Sequence, residues 1–353
     1  MTSSEGLLSI VIDNYNYGQY LAQAIESALA QDYGNLEVVV VDDGSNDNSR
    51  EVIASYGERV VAVFKKNGGQ ASAVNAGFAA SHGDVLLFLD SDDYLAAQAG
   101  ASIMRRFRER PELSIVHFRL TIVDESGRPK TGVLPARHMR MLSGDIRSVL
   151  AASRTYTHPP MSGNAYRRSA IARQMPVPEQ IYRKGADGWL VCTAPVFGPV
   201  EAIDEELGCY RMHSANVTGK SELADGMRYA AHMAEEECVR RKQVELFRDV
   251  LGVRISAVAE RDLPHIRQLL ILRRIYPEHY EYPWSTVRLL GLGLRAAILA
   301  DGVWPMDRAI WLLWFVAIAI LPRRGAYAIA LATFDVKRRP LTLRALLGRR
   351  GRC

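Results

Sequence analysis

The chain has 353 residues, of which 48% are hydrophobic and 24% charged, so it has ordinary globular composition and enough length for two domains. These values exclude a disordered chain, a collagen and a pure coiled coil. The net charge of +5 is the sum of −5 over residues 1–260 (28 basic, 33 acidic) and +10 over residues 261–353 (16 basic, 6 acidic). A basic end of this kind predicts an anionic partner, either nucleic acid or the anionic face of a membrane.

Cysteine content and apolar runs bear on the cellular compartment. The four cysteines are widely spaced and include no Cys-x-x-Cys pair, which favours a reducing cytosol over a disulfide framework or a zinc site. Asp13 interrupts the early apolar run, so we expect no signal peptide. The longest uncharged run of the C-terminal region, Ala309–Pro322, has 14 residues, whereas a spanning helix needs about 20. We therefore expect a cytoplasmic protein that meets a membrane only at its surface.

The first hundred residues alternate between strand-like and helix-like segments. Continuous apolar runs predict strands buried on both faces at Leu7–Ile12, Leu36–Val41, Val60–Phe64 and Val85–Leu89. Helical spacing of apolar residues predicts helices at Tyr20–Gln31, Asn48–Tyr56 and Ala71–Ser81. This alternation predicts an α/β fold in which helices flank a mostly parallel sheet, with ligands beyond the carboxyl ends of the strands.

The remaining chain is more mixed. Ala97–Arg110 reads as a helix and Ser114–Val123 as a strand, and residues 124–165 are rich in turns. Charge density and spacing predict a long helix from Ser221 to about Arg254. From residue 262 onward the pattern is helical, and prolines divide it into short pieces.

Carboxylates follow three of the four predicted strands, at Asp13, at Asp42 and Asp43, and in the segment Asp90–Asp93. A single acid at a strand end is ordinarily a turn former or a helix cap. Three such ends at one edge of a sheet can instead hold a divalent cation through hard oxygen ligands, and that cation can bind a diphosphate. In an extended segment the spacing of Asp90 and Asp92 would put both carboxylates on one side.

The segment Asn67–Gly77 is a glycine-rich turn that opens a helix, so we expect it to offer free backbone N–H groups to an anion. The chain has neither a Gly-x-Gly-x-x-Gly fingerprint after its first strand nor a Gly-x-x-x-x-Gly-Lys-Ser/Thr loop. Both absences weaken a nicotinamide or NTPase interpretation.

Taken together, these segments resemble family 2 glycosyltransferases with a GT-A fold. Four consecutive blocks carry the resemblance: Ile10–Asn16, Glu37–Asp47, Asn67–Gly77 and Gly83–Asp93. Later segments that resemble the second half of the family are Ser162–Ser169, Lys184–Leu190 and Leu207–Asn216. The resemblance implies a GT-A catalytic domain over residues 1–219, with 1–95 binding the nucleotide sugar and 96–219 on the acceptor side. Residues 220–353 would form a helical, basic C-terminal extension.

The resemblance also implies an activity. A bacterial, non-processive, inverting enzyme would move a sugar from a nucleotide diphosphate, UDP being the expected carrier, to a glycan or lipid-linked acceptor in cell-surface polysaccharide synthesis. Such an enzyme needs a base for the acceptor hydroxyl and a cation, Mn²⁺ or Mg²⁺, to offset charge on the leaving diphosphate. By position in the motifs, Asp187 would be the base, and Asp92 and His213 the metal ligands. Ala186 stands where the family often has Glu, which removes a supporting contact.

The same carry-over assigns a set of residues to the nucleotide sugar: Asp13, Tyr15, Asp42, Asp43, Gly69, Asn75, Asp90 and Ser91. Asp13 replaces the Pro that is common at the end of the first strand of the family, which would alter base recognition. Purely structural roles are the alternatives for two of the candidate site residues. His213 alone would more often be structural, and Asp187 could serve only as a first-turn carboxylate favoured by the helix dipole.

Two other functions remain open. One is a catalytically silent nucleotide-sugar binder or scaffold, and the other is a sugar-phosphate nucleotidyltransferase, which would release pyrophosphate. A processive polysaccharide synthase is disfavoured because the chain has no Gln-x-x-Arg-Trp motif.

The composition of the basic C-terminal region predicts a binding partner for that region. Four of the five tryptophans lie in the last 70 residues, among apolar segments bordered by Arg. This pattern favours helices lying in the interface of an anionic membrane, which would place the protein peripherally at the cytoplasmic face of the inner membrane. Packing against the catalytic domain and homo-oligomerisation are the alternatives, and nucleic acid is disfavoured because no binding module is recognisable.

Overall fold

The computed structural model describes residues 6–213, 226–256, 262–299 and 305–334. These residues fall into two compact units. The first unit runs up to Arg147 and resumes from Tyr156 to His213, and the second holds Ser148–Thr155 and the described residues after His213. The predicted domain boundary after residue 219 lies outside the described residues and stays a prediction.

The first unit alternates strands and helices, as predicted. Its strands are β1 (Leu8–Asn14), β2 (Leu36–Asp42), β3 (Val61–Phe64), β4 (Val85–Asp90), β5 (Tyr94–Leu95), β6 (Ile115–Val123), β7 (Pro129–Leu134), β8 (Asn164–Arg167) and β9 (Val200–Arg211). Its helices are α1 (Gly18–Leu29), α2 (Ser49–Ala54), α3 (Gln70–Ala80), α4 (Ala99–Glu109), α6 (Arg168–Ile171) and α7 (Ala186–Thr193), while α5 (Arg147–Ser153) begins where this unit gives way to the second.

These strands form one mixed sheet in the order β3-β2-β1-β4-β8-β6-β9-β5, with β7 paired to β6. The first four strands of the order run parallel, β8 is antiparallel to both of its neighbours, and β9 is again parallel to β6. The carboxyl ends of β1, β2 and β4 therefore share one edge of the sheet. The predicted α/β fold class, with helices in the C-terminal region, is confirmed.

Side-chain alternation along β1 explains how both faces are covered. Leu8, Ile10 and Ile12 are fully buried in the core cluster that α1 and α4 also enter. Val11 points to the opposite face, where α3 packs so closely that a Cβ atom on Gly77 would lie 2.2 Å from Cγ1 of Val11. A continuous apolar run is the expected sequence for such a two-sided strand.

The prediction that all four early strands are buried on both faces is wrong for β3. Its residues are mostly exposed, including Val61 and Phe64. The reason is position, because β3 is the edge strand of the sheet and pairs only with β2. Apolar content alone does not separate an edge strand from a central one.

The second unit is helical. After α8 (Gly226–Leu251) come α9 (Leu263–Ile275), α10 (Thr286–Leu299), α11 (Pro305–Ile320) and α12 (Arg323–Phe334). The beginning of the predicted long helix, residues 221–225, lies outside the described residues. Buried side chains of α9 to α12 form a core of their own around Ile266, Leu269 and Phe315. None of the described helices combines the length and the apolar character needed to cross a membrane.

The close packing of α3 on β1 predicts the effect of one added methyl group. Gly77→Ala would force Val11 and the helix apart, and overpacking of this kind costs about 1–3 kcal/mol. We expect the urea unfolding midpoint to fall. Gly34→Ala is the matched control, since a Cβ atom there would meet nothing within 4 Å. Equal midpoints for the two variants would show that α3 can shift at no cost.

Candidate active site

The register of the parallel strands brings the predicted carboxylates to one level of the sheet. Asp13 at the end of β1 pairs with Asp90 at the end of β4. On the other side of β1, Asn14 pairs with Asp42 of β2. Since β1 lies between β2 and β4, three strand ends meet in one place, as the sequence predicted.

A turn after β4 gathers three carboxylates. One oxygen from each of Asp90, Asp92 and Asp93 lies within 4.8 Å of the others. The expected extended conformation of residues 90–92 is wrong, because Ser91 and Asp92 form a turn that the Asp93 N–H closes on the Asp90 carbonyl oxygen at 3.0 Å. The turn leads the chain from β4 into the short strand β5.

Asp93 has a different role from its two neighbours. Its Oδ1 accepts a hydrogen bond from the Arg211 backbone N–H at 2.9 Å, and its Oδ2 accepts one from the Ser162 hydroxyl at 2.7 Å. The side chain is buried. Asp93 therefore ties the turn to the end of β9 and to residue 162, whereas Asp90 and Asp92 are partly exposed.

His213 lies directly beside Asp92, with its Nε2 2.8 Å from Asp92 Oδ2. The imidazole is 2% exposed. It stacks on Tyr20 with ring centroids 5.2 Å apart and meets the edge of Tyr17 at 5.3 Å. Burial and the nearby charge of Asp92 raise the pKa of Tyr17 to about 12, so Tyr17 stays a neutral phenol. These two aromatic rings fix the orientation of the histidine towards the acidic turn.

The Arg211 guanidinium stabilises the turn through hydrogen bonds to backbone carbonyl oxygens. Its Nε donates to the Asp92 carbonyl oxygen at 2.7 Å, and its Nη1 donates to that of Glu125 at 2.9 Å. The guanidinium also lies 4.7 Å from the centroid of the Tyr20 ring. A buried cation at this position offsets part of the negative charge of the turn.

Burial and mutual repulsion raise the pKa values of two carboxylates at this edge of the sheet. Burial, followed by the charge of Asp92, raises the pKa of Asp13 to about 7, and a hydrogen bond with Gln70 opposes the rise. Burial and the neighbouring acids, Asp13 first, hold the pKa of Asp90 well above its usual range. Asp13 Oδ1 accepts no hydrogen bond within the described part of the chain. Hard oxygen donors with one imidazole fit a divalent cation such as Mn²⁺ or Mg²⁺, which would favour the ionised carboxylates.

The glycine-rich loop differs from the expectation that its N–H groups are free. The Gly69 N–H donates to Asp43 Oδ2 at 2.7 Å, and the Gly68 N–H donates to Asp43 Oδ1 at 2.9 Å. Lys65 forms an ion pair with the same carboxylate at 2.5 Å. A carboxylate from the chain itself thus occupies the anion-binding loop, and Asp43 holds the loop in place.

Asp42 and Tyr15 lie at the same edge of the sheet but differ in exposure. Asp42 is fully buried, and its carboxylate accepts hydrogen bonds from Asn14 and Arg50, each at 3.2 Å. This carboxylate shapes the loop after β2. Tyr15 is 43% exposed, so its ring is accessible to a ligand.

Two further predicted residues make backbone contacts. The buried Ser91 donates its N–H to the Asp13 carbonyl oxygen at 3.3 Å, which joins the two strand ends. Asn75 on α3 exchanges hydrogen bonds with the backbone of Val177, at 2.7 and 2.9 Å. Asn75 therefore anchors the segment that leads towards α7.

Asp187 lies in the first turn of α7, just after Gly185, whose φ of 70° is left-handed and favours glycine. Its charge is one of the causes, after burial and the nearer acids, that hold the pKa of Asp90 above its usual range. Ala186, which replaces the Glu common in the family, is fully buried.

Gln70 connects the acidic turn with the start of α7, a role that the sequence did not reveal. Its Nε2 donates to Asp90 Oδ1 at 2.9 Å, while its Oε1 accepts from the backbone N–H groups of Gly185 and Ala186 at 2.8 and 3.2 Å. The Gln70 backbone N–H also donates to the Arg183 carbonyl oxygen at 2.9 Å. One side chain thus joins the acidic turn to the start of the helix that carries Asp187. The one signal for Gln70 in the sequence was its position within the glycine-rich segment Asn67–Gly77.

Sequence comparisons with known proteins identify the family of this chain. The family model described as glycosyl transferase family 2 matches residues 9–173. An uncharacterized glycosyltransferase of Nostoc sp. is 34% identical over 295 residues, which is 80% of this chain and 88% of that protein. The chain therefore belongs to glycosyl transferase family 2.

More distant relatives match in part. The chondroitin synthase of Pasteurella multocida is 41% identical over 114 residues, which is 31% of this chain but 12% of that enzyme. A crystal structure of S. aureus TarS residues 1–349 has a TM-score of 0.51 and 16% identity, covering 91% of this chain and 89% of that chain. This last likeness concerns the fold, and it confirms the predicted GT-A type.

The Gln70 bridge predicts a local change in backbone protection. Gln70→Met keeps the length of the side chain but removes its amide, so the N–H groups of Gly185 and Ala186 lose their acceptor. A hydrogen bond contributes about 1 kcal/mol, so we expect hydrogen exchange over residues 182–190 to become about fivefold faster by mass spectrometry. Gln98→Met, at an exposed glutamine before α4, should leave that peptide unchanged. Equal protection in both variants would contradict the bridge.

Proposed function

We propose that this family member is an inverting, divalent-metal-dependent glycosyltransferase. It moves a sugar from a nucleotide diphosphate to a hydroxyl group of a glycan or lipid-linked acceptor in cell-surface polysaccharide synthesis. One observation carries the proposal: Gln70 joins Asp90, in the acidic turn, to the first turn of α7, where Asp187 lies. Gln70 thus links a carboxylate that can help to hold a cation for the donor diphosphate with the backbone that carries the proposed base.

A UDP-linked sugar is the donor we propose. Crystal structures of S. aureus TarS, which shares the fold, contain UDP and UDP-GlcNAc. In this chain the exposed ring of Tyr15 and the loop held by Asp43 border the strand ends, where ligands of such sheets bind. Asp43 and Asp42 would contribute by shaping this loop, and Asp13 and Asp90 would face the ribose and, through the cation, the diphosphate.

Asp92 and His213 would hold the cation, with Asp90 beside them. Their contact at 2.8 Å supports this assignment, since both groups can turn one lone pair to a common ion. When bound, the cation supplies positive charge that stabilises the departing diphosphate. Tyr17 and Tyr20 keep the imidazole in place, and Arg211 holds the backbone of the turn.

Asp187 acts as the general base. It accepts the proton of the acceptor hydroxyl while the acceptor oxygen forms a bond with the anomeric carbon on the face opposite to the diphosphate. The bond between that carbon and the diphosphate oxygen breaks, and its electron pair leaves with the diphosphate. A single displacement of this kind inverts the configuration, so an α-linked donor gives a β-linked product.

The positive charge of the C-terminal region supports a location of the reaction at a membrane surface. We place the protein at the cytoplasmic face of the inner membrane, as a peripheral protein, where a lipid-linked acceptor is available. Its charge of +10 over residues 261–353 suits an anionic surface.

The base assignment predicts the effect of Asp187→Asn. Removal of a general base lowers kcat by about 10²–10⁴-fold, while donor affinity should stay within about twofold because Asp187 faces the acceptor. Release of nucleoside diphosphate across a panel of nucleotide sugars and acceptors measures the rate. Glu58→Gln, at an exposed carboxylate, is the control. Negligible turnover in both wild type and D187N would support a silent binder, and release of pyrophosphate would support a nucleotidyltransferase.

The metal assignment predicts a loss of cation binding in Asp92→Asn. Replacing a charged ligand by a neutral one should weaken Mn²⁺ affinity by at least about 100-fold, measured by calorimetry with UDP present. Donor affinity in this variant should no longer respond to Mn²⁺, whereas Glu58→Gln should behave as wild type. Mn²⁺ affinity equal to that of wild type would rule out Asp92 as a ligand.

A further inference from the structure

Helix α11 has an inner face that completes the core of the second unit. Trp314, Phe315 and Ile318 are buried there. Phe315 packs so closely on α10 that a Cβ atom on Gly293 would lie 2.2 Å from its ring. The Trp314 indole N–H donates to the Thr333 hydroxyl of α12 at 2.8 Å. This face therefore packs the helix into the unit.

The opposite face of α11 is apolar and exposed. Ile310, Leu313, Val316 and Ile320 are 39%, 72%, 38% and 70% exposed, respectively. Their spacing of three, three and four residues places them in one stripe along the helix, which we call the α11 stripe. Single exposed aliphatic residues are common on protein surfaces, whereas a continuous stripe of four is typical of a surface that meets another apolar phase.

Positive charge accompanies the α11 stripe. Arg323 and Arg324 are exposed just beyond the end of α11. Arg323 also forms an exposed ion pair with Glu278 at 2.9 Å. Residues 335–353, which follow α12 in the sequence, contain seven Lys or Arg residues and one Asp. An apolar stripe with basic residues near it matches a bilayer surface, where acyl chains lie beneath anionic headgroups.

We propose that the α11 stripe is the surface by which this chain docks on an anionic lipid bilayer. The inference deepens the peripheral location given above and rests on that part of the proposed function. The helix lies along the interface, because its 16 residues would extend about 24 Å, less than the roughly 30 Å hydrocarbon core. The four aliphatic side chains enter the boundary between headgroups and acyl chains, and the arginines stay with the lipid phosphates.

A second copy of the chain fits this surface less well than a bilayer does. A two-fold contact through the α11 stripe would bring basic residues of both copies to the rim of one interface, where like charges repel. Anionic headgroups neutralise the same residues instead.

The experiment measures binding of the full-length protein to vesicles by flotation. Vesicles of phosphatidylcholine alone are compared with vesicles containing one quarter phosphatidylglycerol. The stripe variant carries Leu313→Ser and Ile320→Ser, two positions exposed enough to tolerate a polar residue. The control variant carries Val250→Ser and Val253→Ser, which removes two exposed aliphatic side chains outside α11. Thermal unfolding checks that both variants keep the wild-type fold.

We expect wild type and the control variant to bind anionic vesicles, less tightly in 0.5 M than in 0.1 M NaCl, and the stripe variant to bind at least about tenfold more weakly. Wild type that ignores anionic vesicles, or a stripe variant that binds like wild type, would overturn the proposal. A wild-type dimer by light scattering that the stripe variant converts to a monomer would identify a subunit interface instead. Vesicle binding is read without any glycosyl transfer, so its failure leaves the catalytic proposal standing.

Discussion

The parallel pairing of β1 with β2 and β4 is the constraint on which the candidate site depends. Its register places Asp13 level with Asp90, and Asn14 level with Asp42, at a single edge of the sheet. The buried apolar residues that precede these positions hold the strands in this register, because a slip by one residue would turn the core side chains to the wrong face. The hydrophobic core therefore enforces a concentration of negative charge that the acids alone would not adopt.

The nearby basic residues offset only part of this negative charge. Arg211 holds the turn through backbone carbonyl oxygens, and Lys65 is paired with Asp43 rather than with the acidic turn. The pKa of Asp13 is accordingly raised to about 7 by burial and by Asp92. Crowding of acidic groups at the cost of stability is typical of functional sites, including those that bind a cation.

The sequence predicted the strands and the meeting of their acidic ends, because apolar runs and turn residues are local signals. It failed where the outcome depends on distant partners. The N–H groups of Gly68 and Gly69 were expected to be free, but Asp43 accepts their hydrogen bonds from another strand end. The exposure of β3 depends on its place in the sheet order, and the role of Gln70 depends on a segment more than 100 residues away. No local pattern records such contacts.

Gln70 also helps to explain how this chain functions with Ala186 in place of the Glu that is common in the family. Where the family often has Glu, this chain has the small, buried Ala186, so this position supplies no carboxylate to the start of α7. The Gln70 amide oxygen instead accepts the N–H groups of residues 185 and 186, while its amide nitrogen reaches Asp90. A neutral amide satisfies those N–H groups without adding charge beside Asp90, whose pKa is already held high by neighbouring acids. The position of Asp187 is therefore set through the backbone of α7, and the loss of the usual Glu leaves the proposed base in place.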